Sequence, residues 1–374
     1  MASQRYRKRV EALLGAGDIR IDGDRPWDVR IHNEAVFPRI IAEGMLGVGE
    51  GYMEGWWDCE QLDEMVCRAY LANFHRMIRP LNDLLYVCTA RLVNLQRKAR
   101  AYQVGKHHYD LDHALYQAML DRRMIYSCGY WKDAETLDEA QEHKLDLIAR
   151  KLQFEPGMRV LDIGCGWGGA LQYFAERYGV SGVGVTISQD QSVTARERCA
   201  DLPVEIRLED YRGLDEPFDR IFSIGMFEHV GYKNYRTYFQ VVHRCLEADG
   251  LFLLHTIGAN RTLVRTDPWF NRYIFPNGQL PSAKQITRAA ESLFYLEDWH
   301  NFPQDYDRTL MCWYENFAAA WGELQSRYDE RFFRMWRYYL LASAGGFRAR
   351  GNQLWQIVFS RNGVPGGYTP HNAR

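Results

Sequence analysis

The stretch RVLDIGCGWGGAL, Arg159–Leu171, decides the fold. A short apolar run leads directly into glycines at 164, 166, 168 and 169, and ALQYF after them carries helical spacing. Glycine allows tight turns and lets another group approach the backbone closely. Strand, glycine-rich turn and helix, in that order, make the first unit of a parallel sheet. In such sheets ligands bind beyond the carboxyl ends of the strands.

The residues downstream continue the alternation. SGVGVTIS reads as a second strand and DQSVTARERCADL as its helix; VEIRLED is a third strand. FDRIFSIGMFEHV holds a fourth, NYRTYFQVVHRCLEADG a helix, and GLFLLHTIG a fifth strand. Strand–helix alternation of this kind predicts an α/β fold with a doubly wound parallel sheet. The alternation is then broken by ANRTLVRTDPWFNRYIFPNGQLPS, which is too long for an ordinary connection and reads as functional. Ser282 with Gln285 forms a capping box for the next helix. LFYLEDWHNF and QLWQIVFSR are late strands, separated by a helical block rich in aromatic residues.

The glycine spacing is G-x-G-x-G-G, not the G-x-G-x-x-G that cradles a pyrophosphate. Asp162 precedes the first glycine by two positions, where it would repel a pyrophosphate. A carboxylate there suits a cation such as S-adenosylmethionine, which carries a sulfonium and an ammonium. The competing reading is a turn that closes a βα unit and binds nothing.

With 374 residues, 47 % hydrophobic and 25 % charged, the chain has the composition of a globular protein of about two domains. A net charge of −2 gives no global attraction to nucleic acid. None of the eight cysteines falls in a C-x-x-C pair, so neither a metal site nor a redox pair is signalled. No signal peptide and no spanning apolar run is seen, and the expected location is the cytoplasm.

Residues 1–105 read as a small N-terminal domain and 106–374 as a second domain that carries the strand–helix alternation. In the first, GVGEGYMEGWWDCEQLDEMVCRAY supplies glycine turns, a Trp pair and a helix begun by acids. PLNDLLYVCTARLVNLQRKARAY places Leu81, Leu84, Leu85, Cys88, Leu92, Leu95 and Tyr102 on one helical face. Arg91, Arg97, Lys98, Arg100 and Lys106 accompany it with no acid between Asp83 and Asp110. That layout fits a helix lying on an anionic lipid surface, and equally a helix packed on its own domain.

The glycine loop is similar to the first motif of class I methyltransferases. Those enzymes place an acid after the second strand to hold a ribose; here GVTISQDQ leaves that role to Thr186 and Gln191. EDYR puts Asp210 near an adenine amine and Tyr211 beside its ring. The departure at the second strand matches one group. HYDLDHALYQAMLDRRMIYSCGYW, VLDIGCGWGG, GVTIS, FDRIFSIGMFEHVG, LLHTIG and NRYIFPNGQLPS together resemble the cyclopropane-fatty-acyl-phospholipid synthases and the related mycolic acid cyclopropane synthases.

The resemblance implies transfer of a methyl group from S-adenosylmethionine to a cis double bond of a phospholipid acyl chain. A base then removes a proton and a three-membered ring closes. It implies a bound bicarbonate as that base, held by Cys128, Glu228, His255, Ile257 and Tyr314, with the Ile257 N–H offered to the ion. It implies that Tyr126 and Ser127 close over the cofactor, with Asp162, Gly164, Gly166 and Gly168 cradling it. It also implies a homodimer bound peripherally to the inner face of the membrane. From residue type alone, Cys128 is equally a small buried residue, His255 a satisfied core histidine and Glu228 a helix cap. Trp313, Phe317, Trp321, Phe332, Phe333 and Trp336 wall an acyl tunnel or simply fill a core. Two other functions remain open at this point. One is a fatty-acyl C-methyltransferase that leaves a methyl branch; the other is a lipid-binding protein without catalysis.

Overall fold

A computed structural model describes residues 2–74, 113–263 and 266–371. The chain forms two compact units. One contains Met1–Val93, Val264–Pro276 and Tyr306–Asn352; the other contains Asn94–Leu263, Asn277–Asp305 and Gln353–Arg374. The expected boundary at 105/106 lies outside the described residues, as do Arg91, Arg97, Lys98, Arg100 and Lys106 and the helix they were read on. The middle of the long insertion (Val264–Pro276) and the aromatic block share the first unit with the N-terminal segment, while both ends of the insertion belong to the second.

In the first unit a two-residue ribbon, β1 (Arg30–Ile31) on β2 (Trp57–Asp58), sits among short helices. The GVGEGYM segment is not a set of turns but part of a helix, Met45–Met53. Three glycines lower helix propensity by roughly 1 kcal/mol each. Close packing is the physical reason for them: an added Cβ at Gly47 would lie 2.7 Å from the Arg39 carbonyl oxygen, and at Gly49 2.3 Å from the Trp269 ring. Trp269 itself comes from the insertion, on helix Pro268–Tyr273, which Asp267 caps by accepting from the Trp269 and Phe270 N–H groups. In the aromatic block the Phe317 ring stacks on Phe333, and Phe332 on Trp336. Trp313, Phe317 and Trp336 are buried. Helix Glu330–Arg348 approaches helix Leu62–Leu71 so closely that a Cβ on Gly345 would lie 2.2 Å from the Asp63 carbonyl oxygen.

The second unit is built on a seven-stranded sheet in the order β5-β4-β3-β6-β7-β9-β8. The strands are β3 (Arg159–Ile163), β4 (Ser181–Thr186), β5 (Val204–Leu208), β6 (Phe218–Ile224), β7 (Leu246–Ala259), β8 (Tyr295–Asn301) and β9 (Asn352–Ser360). The first five pair in parallel, and β8 runs antiparallel to β9. Apolar clusters lie on both faces. One joins Phe239 and Ile286 to Phe252 and Phe359; the other joins Ile148, Leu171 and Phe174 to Val160 and Phe222. Burial on both sides explains why these strands read as unbroken apolar runs. The expected α/β, doubly wound architecture is present. The Ser282–Gln285 capping box forms as read, and Gly179 ends the helix Gly169–Tyr178 in the left-handed conformation.

Gly345→Ala should destabilise the first unit by about 1–3 kcal/mol, because backbone cannot yield as a side chain can. Gly322→Ala, on a short helix with open space around it, should be neutral or slightly stabilising. Thermal unfolding of the two variants checks the contrast.

Candidate functional site

The strand order reverses between β3 and β6, and a crevice opens at the carboxyl ends of strands where that happens. Gly164, Gly166 and Gly168 all take positive φ, at 94°, 54° and 80°. Two of them are held by packing. A Cβ on Gly164 would lie 2.7 Å from Met226, and one on Gly168 3.1 Å from Ala195. At Gly166 nothing lies within 4 Å, so this part of the loop faces open space. The turn after β6 belongs to the same locale, since a Cβ on Gly225 would stand 3.8 Å from that of Ser127.

Asp162, on β3, is buried, and its Oδ1 has no hydrogen-bond partner. Burial pushes its carboxyl up to about 8, against the pull of the Lys144 ammonium. An acid held in this way is ready to ionise when a cation arrives. Beyond β4, Thr186 Oγ1 donates to Gln191 Oε1 at 3.0 Å and accepts the Ser188 N–H at 3.2 Å. Both side chains are buried, so the two neutral groups named in place of a ribose acid stand together. After β5, Asp210 accepts the Arg212 N–H at 3.0 Å, and Tyr211 is buried with its hydroxyl unpartnered. Asp190 is exposed.

The second half of the crevice follows β6 and β7. Glu228 sits in a one-turn helix, Phe227–His229, and does not cap the helix that starts at Tyr235. Its Oε1 accepts the Ile257 N–H at 2.6 Å, while Oε2 is buried without a partner. Burial raises its carboxyl to about 7, offset in part by that N–H. The Ile257 N–H, which the family resemblance offers to a bound ion, donates to Glu228 in this structure. His255, opposite Ile224 at the end of β6, is buried; its Nδ1 lies 3.2 Å from Gln356 Nε2, and its Nε2 has no partner. Burial holds the imidazole well below its ordinary range, with Lys144, Lys151 and His300 pushing the same way. A neutral ring that accepts the Gln356 amide at Nδ1 carries its proton on Nε2, a donor facing an unfilled need. Cys128 is fully buried, with Sγ 3.1 Å from the Gly129 carbonyl oxygen. Tyr126 packs edge-on to Tyr116.

One sequence-predicted residue belongs to the other unit. Tyr314 lies on helix Gln304–Ala319, where the Arg337 Nε donates to its hydroxyl at 3.2 Å. The same guanidinium bonds the Tyr52 hydroxyl, the Cys59 carbonyl at 3.3 Å and the Glu60 carbonyl at 2.9 Å. Sequence reading missed Lys144, Gln141 and Gln356, each fully buried. For the first two a signal existed: Ala140, Gln141, Lys144 and Ile148 share one face of helix Leu137–Leu152.

Three buried polar atoms without partners, Asp162 Oδ1, Glu228 Oε2 and His255 Nε2, each cost free energy unless something pairs with them. The cation-ready acid and the open glycine turn fit S-adenosylmethionine. The accepting carboxyl and donating imidazole fit a small polar ion.

A family model described as mycolic acid cyclopropane synthetase matches residues 96–357. The chain is 57 % identical over 365 residues to a cyclopropane-fatty-acyl-phospholipid synthase of Escherichia coli (strain K12), covering 97 % of this chain and 94 % of that protein. The cyclopropane synthase MmaA2 from Mycobacterium tuberculosis superposes with a TM-score of 0.65 at 31 % identity, covering 69 % of this chain and 97 % of its own. The mycolic acid cyclopropane synthase CmaA1, complexed with SAH and CTAB, gives 0.65 at 33 % identity over the same shares. The chain thus belongs to the mycolic acid cyclopropane synthetase family, within the S-adenosylmethionine-dependent methyltransferases, alongside the cyclopropane-fatty-acyl-phospholipid synthases.

Proposed function

We propose that this chain builds cyclopropane rings on unsaturated phospholipid acyl chains and acts as a cyclopropane-fatty-acyl-phospholipid synthase. The observation that carries the reading is that Asp162, Glu228 and His255, each with a buried polar atom lacking a partner, lie on or after the adjacent strands β3, β6 and β7, where the sheet order reverses. S-adenosylmethionine, when bound, supplies the electrophilic carbon. An alkene is a poor nucleophile, so the protein's work is largely placement, with reacting atoms held ~3 to 3.5 Å apart. In this reading Asp162 receives the cationic part of the cofactor on the Gly164–Gly168 turn. Tyr126 and Ser127 close over it. Thr186 and Gln191 hold its ribose, and Asp210 and Tyr211 its base.

Ring closure requires a base that survives in a dry site. We assign that role to bicarbonate, with His255 Nε2–H as a donor and Cys128 at its border; Tyr314 enters as a second donor on the family resemblance alone. Glu228 Oε2 accepts the bicarbonate proton, and the Ile257 N–H stabilises the carboxylate that does so. A neutral His255 supports this role, since it donates without adding a second cation beside the sulfonium.

A phospholipid substrate resides in a bilayer. That supports peripheral attachment at the inner face of the membrane, with residues 1–105 serving lipid recruitment. Homodimer formation and a cytoplasmic location are parts of the same reading and rest on the family resemblance.

Incubation with S-adenosylmethionine and vesicles of unsaturated phospholipid should add one CH₂ to the acyl chains as a ring, seen by mass spectrometry of the fatty acids. A methyl-branched product would replace this reading with the C-methyltransferase, and an unchanged lipid would remove catalysis. Glu228→Gln should lower kcat by about 10²–10⁴ while cofactor affinity stays close to that of the parent. Loss of cofactor binding with the rate preserved would reassign the residue. The sign of the pH effect follows from the raised carboxyl. Below about 7 Glu228 is protonated and cannot accept, so kcat should climb as pH rises through that value, and the limb should vanish in Glu228→Gln.

A further inference from the structure

Lys144 is fully buried on helix Leu137–Leu152. Taking an ammonium out of water costs several kcal/mol even after relaxation. A residue with only a packing role there would be leucine or methionine. Its Nζ donates to Ser127 Oγ at 2.7 Å. Three residues earlier on the same helix, Gln141 Nε2 donates to the Ser127 carbonyl oxygen at 2.8 Å. The helix therefore grips both polar ends of Ser127, and Ser127 stands beside Gly225 at the switch point of the sheet. Four titratable groups feel the ammonium: Asp121 and Cys128 from the segment before the helix, Asp162 from β3 and His255 from β7. Asp121 is already committed, accepting the Arg123 N–H at 2.9 Å and the Ile125 N–H at 2.8 Å. Asp162 is not, because its Oδ1 has no partner.

We propose that Lys144 is a positioning residue of the cofactor pocket, fixing the Tyr126–Cys128 turn through Ser127 and supplying the counter-charge that lets buried Asp162 ionise for a cationic ligand. The proposal rests on the reading of this crevice as the S-adenosylmethionine site. Its logic is electrostatic. The site must accept a cation while containing a cation, and burial keeps Asp162 protonated until the ligand arrives. Entry of the sulfonium and ammonium displaces the Asp162 proton, which leaves to solvent. Without the lysine, the acid holds that proton more tightly.

Binding of S-adenosylmethionine, measured by calorimetry from pH 6 to 9, tests this. Lys144→Met should weaken binding at least tenfold at pH 7. The gap should close as pH rises, for two reasons. Asp162 ionises unaided at high pH, and burial pulls Lys144 itself down to about 8, so the parent loses the charge there too. Comparing parent with variant cancels the ligand's own amine. A constant offset across the range, or no offset, overturns the proposal and leaves a packing role. Lys144→Arg, which keeps the charge, should retain the parent's pH dependence.

Where the methionine variant does not fold, the parent alone decides. At pH 6.5, titrations in buffers of different ionisation enthalpy should show net proton release on binding. Binding without release overturns the proposal. A parent that binds no S-adenosylmethionine at any pH overturns the underlying reading of the crevice instead.

Discussion

Carboxyl groups removed from water govern this structure. Asp162 and Glu228 are both buried, and both are pushed upward by that burial. An ionised carboxylate in such surroundings is expensive, so each stays poised near neutrality. That poise separates two tasks in one crevice. Asp162, on the strand before the glycines, can become an anion opposite a cation. Glu228, steadied at one oxygen by the Ile257 N–H, can take a proton at the other. The sheet brings them together because its order reverses between β3 and β6. No local sequence feature alone would.

The second unit shows how catalysis of this type separates positioning from chemistry. Glycines tightened by packing at 164 and 168 flank one at 166 that is open. The outer pair fixes the turn; beside the middle one there is open space. Thr186 and Gln191 form a neutral, buried pair after β4, which adds no negative charge where an acid would. Burial keeps His255 neutral, so it adds no charge either.

The sheet was legible because buried parallel strands write themselves as apolar runs between glycine and polar turns. The candidate site was read largely from residues near strand ends, Asp162, Thr186, Asp210, Glu228 and His255, and the structure buries all five at or just beyond those ends. What sequence concealed has definite causes. Glycines at 47, 49 and 51 read as turns because nothing local records the Arg39 backbone, Trp269 and Val36 pressed against them. Lys144 drew no reading, although its place on the apolar face of its helix was there to be counted. The hydrogen bond from the Ile257 N–H to Glu228 could not be read, because partners 29 residues apart leave no trace in spacing. The composition of the first unit was hidden for a topological reason. It gathers three separated stretches of chain, and a boundary drawn along the sequence divides what the fold unites.

Arg337 gives that union a chemical meaning. Its guanidinium spans Tyr314 on one side and, on the other, Tyr52, Cys59 and Glu60. The amino-terminal stretch is therefore the far anchorage of a strut whose near end bears on the phenol. A shortened chain lacking that anchorage would not be a trimmed enzyme. It would keep its tyrosine but lose the fixed heading of the hydroxyl, with an arginine left to find new acceptors.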